Sequence, residues 1–384
     1  MTISALAAGA AGAGVAIHLF SATLAAVRCR RSGAPLAAPE GAPPVAIVQP
    51  LCGVEAFSRQ TLASIFALDY PDYEIVFCVA DAADPIAPLA RRAMAAHPQI
   101  KSRLLTGDDR VSANPKLNNV VKGWKATDRD WVIIADSNVL MPPDYIQRLQ
   151  RRWRPNTGIV CAPPIGAQPE SFAAEVECAF LNTYQARWQF CAESLGFGFA
   201  QGKTMLWRRA VLEAGGGIEA LGAEIAEDAA STKLVHHAGL RAHLVNQPFQ
   251  QPLGSRSWRD VWARQVRWAR LRRATFALYF APELLTTSLV TLIAAGFGAE
   301  ALGLWPPLAV GLAAVLWYGA EAGLAAATGW PLALTSLPAW MLRDLLMPIL
   351  WLEGWNTERF VWRGNVMSAD EALATDGAGT ASGG

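Results

Sequence analysis

The chain has 384 residues, 52% of them hydrophobic and 17% charged, against about 25% charged for ordinary soluble domains. A formal net charge of +1 excludes a general attraction for polyanions, so nucleic acid is not an expected partner. The six cysteines (Cys29, Cys52, Cys78, Cys161, Cys178 and Cys191) form no C-x-x-C pair, which argues against a zinc site or a disulfide framework.

The first predicted element is apolar. "ISALAAGAAGAGVAIHLFSATLAAV" (Ile3–Val27) holds no acid or base except His18, and "RCRR" follows at once. Roughly 20 such residues cross a bilayer. The basic residues come after the apolar run, as in a retained anchor rather than a signal peptide. Arg28, Arg30 and Arg31 are expected to keep its C-terminal end, and hence the domain that follows, in the cytosol. Residues 29–44, with "SGAPLAAPEGAPP", read as a linker after the anchor of residues 1–28.

From residue 45 to 255 strands alternate with helices. Expected strands are Val45–Leu51, Tyr73–Ala80, Ser102–Thr106, Trp131–Asp136, Gly158–Pro164, Lys203–Arg209 and Arg241–Gln247. Expected helices are Phe57–Ala67, Ile86–His97, Lys116–Lys125, Pro143–Trp153 and Glu227–Ala238. Apolar β-rich runs separated by helices predict an α/β domain whose mostly parallel sheet is covered on both faces. In such sheets ligands bind beyond the carboxyl ends of the strands.

That rule selects the chemistry. "ADAADP" follows the second strand and "ADSNV" the fourth, setting Asp81, Asp84 and Asp136 at strand ends. Asp136, with Ser137 and Asn138, offers oxygens to a hard divalent cation that also touches phosphate; the plainer reading is that these aspartates cap turns. "NPKLNN" sets Lys116 at a helix start, facing a phosphate or simply solvent. In "AEDAASTK" Glu227 and Asp228 precede a helix, either as a favourable dipole arrangement or as a source of a base for a hydroxyl. His236 and His237 are adjacent and point apart on a helix, against a shared metal site.

Downstream lies "WARQVRWARLRR" (Trp262–Arg273). Arg264, Arg267 and Trp268 share one helix face, while Trp262, Arg270, Arg272 and Arg273 suit lipid head groups. Interfacial anchoring alone is the plainer reading. Residues 256–281 are expected to form this interfacial helix. Apolar blocks Pro282–Leu304, Pro306–Ala326 and Leu332–Leu352 follow, giving about three C-terminal membrane helices within 282–354. The last block contains "MLRDLL", and Arg343 with Asp344 points to burial against protein or to the interface. Residues 355–384 read as an interfacial segment and a disordered tail.

Taken in order, Asp84, Asp136, Asp228 and "RQVRW" (Arg264–Trp268) match a known signature. With "DYPDYEIVFCVADAADP", "NPKLNNVVKGW", "IADSNV", "SFAAEVE" and "AEDAA", the stretch from about Pro50 to Arg273 resembles the family 2 and family 21 glycosyltransferases. The ceramide glucosyltransferase branch is the nearest likeness. The resemblance implies a GT-A nucleotide-sugar-binding domain over 45–255. It also implies inverting transfer of a sugar, glucose first, from a UDP-sugar to the primary hydroxyl of a ceramide-like lipid. Asp81 and Asp84 would then contact uridine, with Lys116 nearby. Asp136 would hold Mg2+ or Mn2+ on the diphosphate, and Asp228 would be the catalytic base. Arg264, Gln265, Arg267 and Trp268 would serve the acceptor and diphosphate.

Gln185 is a departure: it stands where the animal enzymes have a histidine implicated in donor binding, so the sugar is less constrained than the donor class. Gly202 either lets the donor pass closely or is a bulge glycine. Trp355–Met367 resembles the family's Trp-Arg-Gly segment and is expected to return to the interface. Alanine and arginine richness points to a bacterial inner membrane. A hopanoid or polyprenyl phosphate glycosyltransferase would share every motif, whereas a polysaccharide synthase needs more spans. A membrane-tethered nucleotide-sugar-binding scaffold would tolerate loss of the acidic residues, all of which are present.

Overall fold

The computed structural model describes residues 2–30, 35–356, 359–362 and 365–368. The chain divides into two compact units. Of the described residues, those within 1–31, 166–191 and 255–366 form a helical unit, and those within 32–165, 192–254 and 367–384 a sheet unit. The expected catalytic block 45–255 is therefore interrupted, because 166–191 belongs with the helical unit.

After α1 (Ile3–Arg28) the chain enters the sheet unit as β1 (Val45–Leu51), α2 (Ser58–Ile65), β2 (Tyr73–Val79), α3 (Ala87–Ala96), β3 (Lys101–Thr106) and α4 (Pro115–Ala126). It continues as β4 (Trp131–Ala135), α5 (Tyr145–Gln150) and β5 (Thr157–Cys161). β6 (Ile165–Pro169), α6 (Phe172–Ala179) and α7 (Arg187–Ser194) come next, before β7 (Thr204–Arg208), α8 (Arg209–Ala214), α9 (Glu227–His237), β8 (Arg241–Leu244) and β9 (Gln250–Gly254). Each expected strand and helix forms, with shifts at the ends only.

Seven strands make one sheet in the order β3-β2-β1-β4-β7-β5-β8. Neighbours pair in parallel except at β7, which runs against both β4 and β5. β2 is buried along its whole length and β1 nearly so, as continuous apolar strands covered on both sides should be. Ile47, Ile75, Phe77, Ile133 and Leu206 join Leu62, Ile65, Ala90 and Tyr145 from α2, α3 and α5 in one core. α4 lies directly on the sheet: a Cβ on Gly123 would come within 2.5 Å of Val48 and 2.7 Å of Cys78. The described part of the expected linker is fastened to this unit. Leu36 N donates to Asp144 Oδ2 at 2.9 Å, and the Tyr70 hydroxyl donates to Pro43 O at 2.6 Å.

The helical unit adds α10 (Trp258–Thr275), α11 (Ala277–Phe280), α12 (Ser288–Gly298), α13 (Pro306–Thr328) and α14 (Ser336–Asn356). Among the described residues α1 and α13 are long and apolar enough to cross a membrane, and Ala277–Thr286 with Ser288–Gly298, bent by 49°, makes a third if it is one span. The expectation of about three C-terminal spans is thus corrected at one place, the first block, while the last block buries its two charges against protein, one of the two readings its sequence offered. The first block breaks at Thr287, between a 3-10 turn and α12. The last, α14, buries Arg343 and Asp344 and packs through charge: Arg343 Nη2 lies 2.8 Å from Glu321 Oε1 on α13 and 2.8 Å from Asp344 Oδ1. Small residues bring α1, α12 and α13 together at Ala11, Ala295 and Ala313.

Arg31 and the tail from residue 369 lie outside the described residues, as do residues 357–358 and 363–364 of the Trp355–Met367 segment.

Candidate active site

The carboxyl edge of the sheet carries a cluster centred on Lys116, in the first turn of α4 where the Asn114 side chain caps the helix. The Lys116 ammonium meets Asp136 Oδ1 at 2.7 Å, Glu227 Oε1 at 2.6 Å and the Gly202 carbonyl at 2.6 Å. Those three oxygens use all three of its donors. Asn114 Nδ2 donates to the second Glu227 oxygen at 2.7 Å, so Glu227 is held from both sides. Burial works against the lysine charge, yet Asp136 and Glu227 hold the ammonium above the usual lysine range.

Asp136 follows β4, and Gln49 Nε2 on β1 steadies its carbonyl at 3.2 Å. Its second carboxylate oxygen is taken by Lys203, at 2.8 Å. Burial pushes this carboxyl up, but the ammoniums of Lys116 and Lys203 pull it well below the usual carboxylate range. Lys203 arrives here because β7 is antiparallel. Thr204 pairs with Ala135, so the start of β7 lies at the end of β4, and Asp136 N donates to Lys203 O at 3.0 Å.

Asp228 stands in the first turn of α9 beside Glu227. It accepts from Gly202 N at 3.0 Å. Burial, then the charge of Glu227, pushes its carboxyl up to about 6, against the opposing pull of Lys116 and two backbone N–H groups. Gly202 has a role here that neither alternative read from sequence gave it. A Cβ there would lie 2.8 Å from Glu227 Oε1, 3.2 Å from Asp228 Oδ2 and 3.3 Å from Lys116 Nζ. The missing side chain is what lets the backbone join Asp228 to Lys116.

Asp81 and Asp84 are engaged with backbone. Asp81 Oδ1 accepts from Ala83 N at 2.9 Å. Asp84 accepts from Gly53 N at 3.0 Å and from Ile86 N at 2.9 Å, tying the turn after β1 to the start of α3. Gly53 takes a φ of +68° there, a conformation glycine adopts at no steric cost.

Among the described residues no three His, Cys, Asp or Glu side chains are grouped to hold a metal ion. A cation nonetheless marks a position: the Lys203 ammonium sits between Asp136 Oδ2 and, at 3.1 Å, Asn138 Oδ1. Hard oxygens from one or two side chains are the usual protein share of a Mg2+ site that phosphate oxygens complete. Asp136 and Asn138 fit that role.

Arg264, Gln265, Arg267 and Trp268 lie on α10, in the helical unit. Arg264 Nη1 is 2.5 Å from Glu177 Oε1 on α6, and its guanidinium lies 6.0 Å from the Trp268 ring centroid. Gln265 is buried; its Oε1 accepts from Gln185 Nε2 at 3.3 Å, and among the described residues its own Nε2 has no hydrogen-bond partner. Arg267 and Trp268 are half-buried.

Sequence reasoning had placed Lys116, Asp136 and Asp228 in one site, and the sheet brings them together. The sequence offers Glu227, with Asp228, as a helix-start acid or a source of a base but not as a partner of Lys116, and gives Lys203 no role.

A model of the family described as glycosyl transferase family 21 matches residues 13–373. Ceramide glucosyltransferase 1 of Caenorhabditis elegans is 25% identical over 332 residues, 84% of this chain and 71% of the worm protein. The ceramide glucosyltransferase of Komagataella phaffii is 37% identical over 99 residues, 25% of this chain and 19% of the yeast protein. Among solved structures, the mannosyltransferase PcManGT from Pyrobaculum calidifontis in complex with GDP-Man and Mn2+ superposes with a TM-score of 0.51. It is 18% identical, over 88% of this chain and 99% of that one. That likeness concerns the fold, a GT-A-like sheet with its helices.

Proposed function

From a chain that belongs to glycosyl transferase family 21, and so is a glycosyltransferase, we propose the following reaction. It moves a sugar, glucose first, from a UDP-sugar to the primary hydroxyl of a ceramide-like membrane lipid, inverting the anomeric carbon. The acceptor reading is supported by relatives that are ceramide glucosyltransferases. The chemistry rests on one observation: a carboxylate raised to about 6, Asp228, shares a strand edge with the Lys116–Asp136–Glu227 cluster.

Asp228 takes the proton of the lipid hydroxyl while that oxygen attacks the anomeric carbon from the face opposite UDP. A base whose pKa lies near working pH is suited to this step. As the bond to the diphosphate breaks, the charge on the departing oxygen is met by the Lys116 and Lys203 ammoniums of this cluster. Preorganised charge of this kind is commonly the largest contribution to rate. A divalent cation held by Asp136 and Asn138 would add Lewis-acid charge to the diphosphate.

Asp81 and Asp84 are assigned to the uridine side, Asp84 by shaping the Gly53 turn. Gln265, with its unmet Nε2 donor, serves the acceptor with Arg267 and Trp268. Arg264, paired with Glu177, fixes α10 on α6. The apolar helices and the arginines at the end of α1 support a multi-pass membrane protein with its catalytic unit in the cytosol, and the alanine- and arginine-rich composition supports a bacterial inner membrane.

The test is direct. Purified full-length protein in lipid nanodiscs is given UDP-glucose, Mn2+ and ceramide, and the lipids are analysed by mass spectrometry and proton NMR. A β-linked hexosylceramide is expected. UDP release unaffected by ceramide, or an α-linked product, would refute the acceptor or the stereochemistry respectively.

A further inference from the structure

Two ammoniums bracket one carboxylate in this site, and they are held differently. Lys116 is tied to Asp136, to a second carboxylate and to the Gly202 carbonyl. Lys203 lies on the two oxygens, Asp136 Oδ2 and Asn138 Oδ1, whose chemistry suits a divalent cation. An ammonium and a divalent cation cannot share those oxygens, because like charges at contact distance repel strongly where water is scarce.

We propose that the Lys203 side chain is an internal occupant of the divalent-cation position. It fills the Asp136–Asn138 oxygens in the donor-free protein and yields them when nucleotide and metal arrive together, moving onto the diphosphate. This rests on the nucleotide-sugar donor of the proposed function, and not on the lipid acceptor.

The charges around the site support the exchange. Asp136 and Glu227 are balanced by Lys116 and Lys203, and Asp228 adds at most one further negative charge, so a lone divalent cation that must displace an ammonium gains little by entering. A diphosphate brings new negative charge and gives a displaced ammonium a partner at once. The Lys203 backbone stays in place, because Asp136 N donates to its carbonyl and Thr204 is paired in the sheet. The exchange can therefore proceed by rotation of a flexible four-carbon stem. Cation binding and nucleotide binding become coupled, and by linkage the coupling is reciprocal.

The experiment measures Mn2+ binding to the full-length protein in detergent by the loss of the free-ion electron paramagnetic resonance signal, with and without UDP. The wild type should bind Mn2+ weakly alone and about tenfold or more tighter with saturating UDP. Lys203→Met and Lys203→Gln, both neutral, should bind Mn2+ alone about tenfold tighter than the wild type, and UDP should add correspondingly less. Lys203→Arg keeps the charge and should behave as the wild type. The idea is overturned if neither neutral variant gains Mn2+ affinity while UDP still raises its melting temperature. It is equally overturned if Lys203→Arg gains as much as Lys203→Met, or if UDP and Mn2+ bind the wild type independently. In that last case ceramide-dependent turnover of UDP-glucose would leave the proposed function standing; intact coupling without such turnover would refute the acceptor instead.

Discussion

Asp228 sits between opposing fields, and the balance suits a base. Burial and Glu227 raise its carboxyl to about 6, while Lys116 and two N–H donors stop it rising further. Replacing it with asparagine keeps the Gly202 N–H bonded and the shape intact. Asp228→Asn should therefore fold and bind UDP, yet transfer at least about 100-fold more slowly, within the range expected for losing a base. Normal turnover of that variant would remove Asp228 from the reaction. A second prediction concerns pH. A carboxyl raised above its ordinary value of 3.8 is favoured by folding in its acid form, so its contribution to stability is lost as pH rises from 3.8 through about 6. Its contribution to catalysis has the opposite sign, and kcat/KM should climb through a single ionisation near 6. Glu227→Gln removes one of the causes of the upward shift, so the acid limb of the pH profile should move to lower pH. A limb that stays in place would show that Glu227 does not act on Asp228. At this scale much was legible: acids after β2 and β4 and at the start of α9 were visible because chemistry at a sheet edge favours those residue types there. Lys203 was not, since a lysine opening a strand looks like any solvated end.

The reason Lys203 escaped notice belongs to the elements. Looking just after each strand finds the carboxyl edge only when strands are parallel. β7 enters from the opposite direction, so its first residues, not its last, reach that edge. No local pattern in "KTMLWRR" distinguishes the two directions, because the period-two alternation of a strand is the same read either way. The other strands and helices were legible from continuous apolar runs with polar breaks between them. The membrane helices were less so: composition marked the block after Pro282 as one span, but the chain bends by 49° at Thr287. Close helix contact was also hidden in sequence among many small residues. At Gly298 on α12 the approach is to backbone, a Cβ there falling 2.4 Å from Ala8 N and 2.5 Å from Ala8 Cα of α1. Backbone cannot yield as a side-chain tip can. Gly298→Ala should part α1 from α12 and lower the melting temperature in detergent by several degrees, roughly the effect of 1–2 kcal/mol. Gly9, with nothing within 4 Å, supplies the control, and Gly9→Ala should be neutral. Equal effects from the two would mean that the contact is not what holds these helices.

On the scale of the whole chain, the helical unit is assembled from three separated segments, and its buried polar groups draw on all of them. From the first segment, the Ser21 hydroxyl accepts from Arg187. From the second, Arg187 Nε donates to the Thr183 carbonyl at 2.7 Å, and the Thr183 hydroxyl donates to Glu321 Oε2 at 2.7 Å. From the third, Arg343 bonds Glu321 through both terminal nitrogens at 2.8 and 3.0 Å, and Thr183 at 2.9 Å. Asp344 completes the set, accepting from Arg343 and from the Tyr318 hydroxyl. The two arginines and two acids balance, which is what makes four charges tolerable out of water. Such a network adds less to net stability than its bond count suggests, since desolvating the ions opposes their attraction, but removing one member strands its partner. Arg343→Met leaves Glu321 and Asp344 without the cation bonded to both and should cost about 3–5 kcal/mol. The expected readout is a sharp loss of folded protein in detergent, with the α6 segment opened to protease because Arg343 Nη1 also holds the Ala179 carbonyl at 3.2 Å. Adding Glu321→Gln to Arg343→Met removes one stranded charge and keeps a hydrogen-bonding side chain for Thr183. It should recover part of the loss, while Asp344 retains the Tyr318 hydroxyl. If Arg343→Met alone is as stable as the wild type, the charges do not join the three segments. If the second substitution makes matters worse, the damage lies in packing rather than in an unpaired acid.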